Sequence, residues 1–194
     1  MMSPLATSTA VFAGANLLGF GISISTGWHY HLDLIGTGVF TISALLLRGT
    51  SRVQQLSAAA VSIWATKLAS FLFFRALQVK RDARLETVLS SGSGAAGFWL
   101  LSFLWAFVVS LPHTLVAGVP AVAHPRVGVV STAGLAMFAL GLTLETAADG
   151  QKWLFKGDPA NVGRFCDAGV WKLCQHPNWM GNLLIWSVSM LIPI

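Results

Sequence analysis

Charge is what this chain has least of. Only 10% of its 194 residues are Asp, Glu, Lys or Arg, against about 25% in an average soluble domain. Too few charges exist to coat a globule of that size, which excludes both an ordinary cytosolic domain and intrinsic disorder. Cysteine is nearly absent: Cys166 and Cys174 are the only two, so no disulfide framework holds the fold. Tyrosine occurs once, at Tyr30. Met1 to Pro4 supply no basic segment of the kind that opens a signal peptide, so the apolar run after them reads as a retained helix.

What replaces charge is apolar surface, 55% hydrophobic residues with a mean hydropathy of +0.69. Such a chain belongs in a bilayer, and its length allows about six spans of about 20 residues each. The expected fold is all-α, a polytopic membrane helical bundle forming a single membrane domain over residues 1–194. Its spans fall near 5–25, 32–47, 53–76, 95–119, 127–144 and 177–194, with a polar loop at 145–176. A Ser/Gly linker, Ser90 to Gly94, precedes the fourth span, and Pro112 inside that span removes one backbone hydrogen bond. The last apolar stretch is marginal. Counted from Leu183 it gives about 18 Å of helix, and counted from Pro177 about 27 Å.

The 12 basic residues outnumber the 7 acidic ones, for a net charge of +5. With six crossings, one face collects Arg75, Lys80, Arg81, Arg84, Lys152, Lys156, Arg164 and Lys172, while the other holds Arg48, Arg52 and Arg126. That bias puts the N-terminus outside and the long polar loop on the cytoplasmic or equivalent side, and it accounts for the basic excess without nucleic acid.

Glu145, Asp149, Lys152 and Lys156 recur at spacings of four, three and four, which sets them on one stripe of a helix that continues the fifth span into the headgroup region. Such a stripe suits a dinucleotide's phosphates and hydroxyls, or simply an interfacial helix with mutually neutralising pairs anchored by Trp153 and Phe155. A helix starting at Pro177 would aim free N–H groups beside His176 and Asn178, an anion site unless the His176 ring caps them itself. Lys67, inside the third span, either meets a carboxylate or ligand or snorkels toward Arg75, about 12 Å along the helix. His29 and His31 flank Tyr30 beside Trp28 and read first as an interfacial belt, with a metal or pigment ligand as the alternative. Cys166, Cys174 and His176 lack a fourth ligand for zinc, and no metal is expected.

Several of these segments form a familiar order. Asp149-Gly-Gln-Lys with Phe155-Lys156, then Gly169-Val-Trp, then His176-Pro-Asn-Trp-Met-Gly and Trp186 resembles the signature of the steroid 5-alpha-reductase-like membrane proteins, especially their bacterial and algal branch. Upstream, Trp64-Ala-Thr-Lys-Leu, Arg75 and Asp82-Ala-Arg84 are similar to that branch's third-helix pattern. The resemblance covers nearly the whole chain. It implies a helical bundle whose polar loops enclose NADPH, gripped by Arg84, Asp149, Lys152, Lys156, His176 and Asn178, and pass its hydride to a conjugated double bond in a lipid or steroid-like enone.

The sequence departs from that pattern at chemically telling positions. Gln175 stands where the family has arginine, Trp179 where it has an aromatic hydroxyl, and Asn182 where it has glutamate. The family also continues past the position of Ile194 with a charged segment that closes the cofactor site. Neutral Gln cannot reproduce arginine's bidentate hold on phosphate. The expectation drawn is a non-catalytic, reductase-fold accessory or structural subunit of a larger respiratory or photosynthetic membrane complex, with no residue assigned a catalytic role. The alternative is an NADPH-dependent reductase, and a related methyltransferase is a third reading. Expected partners are membrane lipids and other membrane subunits, with pigments a further class that eight tryptophans and 19 glycines would suit. The membrane itself is left open between endoplasmic reticulum and organellar inner or thylakoid-type membranes.

Overall fold

The structure is a computed structural model that describes residues 2–28, 30–79 and 83–189. Among the described residues it is all helix, with no strand. It divides into two compact units, Met1–His124 and Pro125–Ile194.

The first unit contains α1 (Pro4–Thr26), α2 (Leu32–Leu46), α3 (Arg52–Val79), the short α4 (Ala83–Leu89) and α5 (Gly92–Gly118). The Ser3 hydroxyl caps α1 by accepting from Ala6 N at 3.2 Å, and Pro4 fits the first turn, where no N–H is needed. Gly27 ends the helix in the left-handed region at φ 68°, returning its N–H to the Ser23 carbonyl. Around the bundle the neighbours run α3, α2, α1, α5, and α5 also meets α2 and α3. At the centre, Phe40 receives Phe12, Trp64 and Trp105 edge-on, with ring centroids 4.9, 5.4 and 5.6 Å away.

Polar clamps set the helices in register. Ser51 and Gln54 form a reciprocal capping box: Gln54 N donates to Ser51 Oγ at 3.1 Å, and Ser51 N donates to Gln54 Oε1 at 3.0 Å. The same buried Gln54 extends Nε2 to the Val119 carbonyl at 3.0 Å, tying the start of α3 to the end of α5. Between α1 and α5, Thr114 donates to Ser8 at 3.1 Å. His31 stacks on Trp99 at 5.6 Å and puts Nε2 3.0 Å from the Gly19 carbonyl, while Trp99 donates to Ser23 Oγ. The His31 ring is therefore engaged within the unit; His29 lies outside the described residues.

The expected Ser/Gly linker is mostly helix. Ser91 caps α5 by accepting from Gly94 N at 3.1 Å, and a Cβ at Gly94 would lie 2.0 Å from the Val88 carbonyl oxygen, so this glycine serves a tight α4–α5 corner.

The second unit is a helix pair, α6 (Val129–Gly157) and α7 (Pro177–Ser189), whose connection folds back on α6 through two short 3-10 turns, Pro159–Asn161 and Gly169–Lys172. The helices cross backbone to backbone: a Cβ at Gly141 would lie 2.7 Å from the Gly181 carbonyl oxygen, and one at Gly181 would lie 2.6 Å from that of Gly141. Small residues permit such an approach in membrane helices.

Of the six expected spans, α1, α3, α5 and α6 are long and apolar enough to cross a membrane. The other two are shorter: α2 has 15 residues, and α7 has 13, or about 20 Å for the latter. The marginal tail beyond Ser189 lies outside the described residues.

Candidate functional site

The charged stripe lies on one unbroken helix, since α6 continues from its apolar half straight through Gly157. Its members differ sharply in environment. Glu145 is only 1% exposed and accepts a hydrogen bond from Asn182 Nδ2 on α7 at 2.5 Å. Asp149 is half-buried, and Lys152 and Lys156 are exposed. One helix stripe thus passes from the packed crossing to an open surface.

The Gln151-Lys152 and Gly169-Val-Trp171 segments, apart in sequence, bind each other. Gln151 Oε1 accepts from Val170 N at 2.8 Å, and its amide occupies the space a Cβ at Gly169 would need. Gly169 adopts φ +54°, so both backbone conformation and packing require glycine there. Trp171 Nε1 then donates to the Ala148 carbonyl at 2.8 Å, and Lys152 Nζ lies 4.5 Å from the indole centroid. The connection is held farther out by Lys156, which donates to the Arg164 carbonyl, and by Asn161 Nδ2 on the Phe155 carbonyl at 3.1 Å.

This folding-back encloses an open cleft of about 780 Å³ with Lys152, Lys156, Trp171, Lys172, Gln175 and His176 in its wall, and both cysteines, Cys166 and Cys174, beside them. Among the described residues no three His, Cys, Asp or Glu side chains are placed to hold a metal ion. Three ammonium groups and no carboxylate line the cleft, so it favours an anion. Lysine serves phosphate as a mobile point charge, without the fixed fork of arginine.

Lys152, Lys156 and His176 therefore share one cleft. The His176 ring is exposed in it, while the His176 carbonyl accepts from Met180 N at 3.0 Å to start α7. Asp149, one turn earlier on α6, and Asn178, in the first turn of α7, are not in the cleft wall. Asn178 Oδ1 is buried without a hydrogen-bond partner. The side chain of Arg84 lies outside the described residues, and its backbone belongs to α4 of the first unit. Lys172, Trp171 and Gln175 complete the wall. Lys172 follows directly on the Gly-Val-Trp turn, and that adjacency was the available signal for it.

Against NADPH, which the resemblance implies, the wall fits phosphate groups as a class. It does not offer the guanidinium or the carboxylate that would fix a dinucleotide's orientation: Gln175 occupies the arginine position, and the Glu145 carboxylate is spent at the helix crossing.

An all-helical chain with four membrane-length apolar helices and a basic cleft at the end of a helix pair fits the class of integral membrane proteins. More specifically, the family model described as "Protein of unknown function (DUF1295)" matches residues 19–194, and the chain belongs to that family, a steroid 5-alpha-reductase-like group. No curated protein and no solved structure matches the chain.

Proposed function

We propose that this chain is a non-catalytic, reductase-fold subunit of a larger membrane complex, and that its basic cleft seats the phosphate of anionic lipid headgroups. The observation that carries the reading is the composition of the cleft and its rim. Lys152, Lys156 and Lys172 stand around Trp171, and Phe165 in the same wall is 94% exposed. Exposed cations around a half-buried indole and an exposed phenyl ring suit the bilayer interface, where each lysine near an anionic surface contributes about 1 kcal/mol. Such a site needs charge and depth but no fixed orientation, which is what lysine supplies.

The non-catalytic part rests on Gln175 and Asn182. Hydride transfer needs a nicotinamide held in near-attack geometry, and a misplacement of about 1 Å costs roughly 100-fold. Neutral Gln175 cannot clamp a phosphate, and Asn182 is engaged with Glu145.

The test uses the full chain in nanodiscs of mixed phosphatidylglycerol and phosphatidylcholine, followed by native mass spectrometry. Selective retention of phosphatidylglycerol, lost in the Lys152→Gln, Lys156→Gln, Lys172→Gln triple variant, supports the reading; equal retention of both lipids contradicts it. Gentle extraction from the native membrane should recover the chain in a particle much larger than one chain with its lipids. A single-chain particle removes the complex from the account.

A second reading, an NADPH-dependent reductase of a lipid enone, is favoured by the shared cleft of Lys152, Lys156 and His176. Reduction of a lipid enone by the purified chain with NADPH would replace the first reading with this one.

A further inference from the structure

Both cysteines of the chain stand in the basic cleft, where the headgroup reading gives them no part. Each is half-buried with a free thiol. Cys174 lies in the irregular segment between the Gly169–Lys172 turn and α7, two residues after Lys172 and two before His176. All three side chains enter the cleft wall. Cys166 is placed differently. Lys156 donates to the Arg164 carbonyl two residues before it, but the exposed Asp167 follows it directly, outside the wall.

The charges around these thiols have one sign. Lys152, Lys156 and Lys172 line the cleft, and among the described residues no carboxylate does. A cleft lined by one sign of charge focuses its field and raises the local concentration of counter-ions, by about 10-fold to 1,000-fold in association rate. Thiol–disulfide exchange begins with a thiolate meeting a disulfide sulfur, so the cleft selects its disulfide by charge.

We propose that the cleft is a site of S-thiolation by small anionic disulfides of the glutathione class, with Cys174 as the principal acceptor. The Cys174 thiolate attacks one sulfur of the disulfide, and the new S–S bond forms as the old one breaks. The other half leaves as a thiolate and takes up a proton, which balances the one Cys174 gave up. The cysteine sulfur is oxidised and the departing thiol is the reduced product. At about 780 Å³ the cleft has room for a tripeptide. The attached half carries carboxylates within reach of the lysines that would hold a lipid phosphate, so thiolation displaces the lipid. That consequence rests on the headgroup reading; the thiolation itself does not.

The test treats the full chain, in nanodiscs of phosphatidylcholine alone, with anionic glutathione disulfide, neutral hydroxyethyl disulfide and cationic cystamine. Adducts are followed by intact mass, and each rate is divided by that of a small neutral thiol. The expected order is anionic, neutral, cationic, with glutathione disulfide favoured over cystamine at least about tenfold at low salt and less as salt is added. Cys174→Ser should remove most of the fast phase, and Cys166→Ser little of it. The Lys152→Gln, Lys156→Gln, Lys172→Gln triple variant should abolish the order. Arginine at the same three positions should keep it, so a folding defect of the glutamine variant does not decide the matter. Equal normalised rates for the three disulfides, or a fast phase kept in Cys174→Ser, overturns the inference.

In nanodiscs that contain phosphatidylglycerol, the glutathionyl adduct should release the bound lipid and a reductant should restore it. The hydroxyethyl adduct adds bulk without charge and should retain more. Retention unchanged by the glutathionyl adduct contradicts the displacement. An untreated chain that selects no phosphatidylglycerol counts against the headgroup reading alone, and the rates then decide the thiolation.

Discussion

Asn182 on α7 donates its amide N–H to the buried carboxylate of Glu145 on α6, one turn from the point where Gly141 and Gly181 bring the two backbones into contact. A glutamate at position 182, as the resemblance would have it, would set a second carboxylate against the first. Asparagine instead supplies a donor, so the substitution that removes a carboxylate also builds the crossing.

Asn182→Leu withdraws that donor from a buried carboxylate and should cost about 1–3 kcal/mol. Thermal unfolding of the variant in nanodiscs measures it. A variant as stable as the parent would show that Glu145 does not depend on this bond.

The glycine contact predicts a contrast within one helix. Gly141→Ala forces two backbones apart and should cost about 1–3 kcal/mol. At Gly150, also in α6, nothing lies within 4 Å of an added Cβ, and alanine there should gain up to about 1 kcal/mol from helix propensity. Equal effects at the two positions would refute the close crossing.

Gly169→Ala should release the Gly-Val-Trp turn from α6, because alanine meets both a left-handed backbone and the Gln151 amide. The measurement is hydrogen exchange at residues 168–173, which should quicken at least tenfold. Trp171→Phe keeps an aromatic ring but loses the pyrrole half of the indole and its bond to the Ala148 carbonyl, and should cost at least about 1 kcal/mol.

In the first unit, Gln54→Leu removes the acceptor for Ser51 N and the donor to the Val119 carbonyl together. The expected cost is about 2–3 kcal/mol. Gln54→Glu keeps the cap and loses the reach to α5, so it should recover part of that loss in the same unfolding assay.

Much of this architecture is legible in the sequence, because a bilayer makes hydrophobic length a direct signal: α1, α3 and α5 begin and end within about three residues of the apolar runs. The continuation of α6 through the charged stripe also follows, since the four-three-four spacing holds one helical face. What the sequence hides is environment along that face. Periodicity sets Glu145 and Lys156 on the same stripe, but only the α7 crossing buries the first and leaves the second open. Ser90 to Gly94 misleads because serine and glycine mark caps and tight corners as readily as linkers, and composition does not separate the two. Ser51-Arg-Val-Gln54 is a readable capping box, whereas the reach of Gln54 to Val119 depends on tertiary packing. In the candidate site, Lys152, Lys156 and His176 could be named from the resemblance. Lys172 becomes part of it only because Gly169 turns the chain back onto α6.

The most direct test sets phosphate of two origins in competition at the basic cleft. The full chain, carrying bound phosphatidylglycerol in nanodiscs, is titrated with excess NADPH and read by native mass spectrometry. The account predicts that the lipid stays bound and no one-to-one NADPH adduct forms; displacement of the lipid by a single NADPH would make the cleft a dinucleotide site and contradict the central claim.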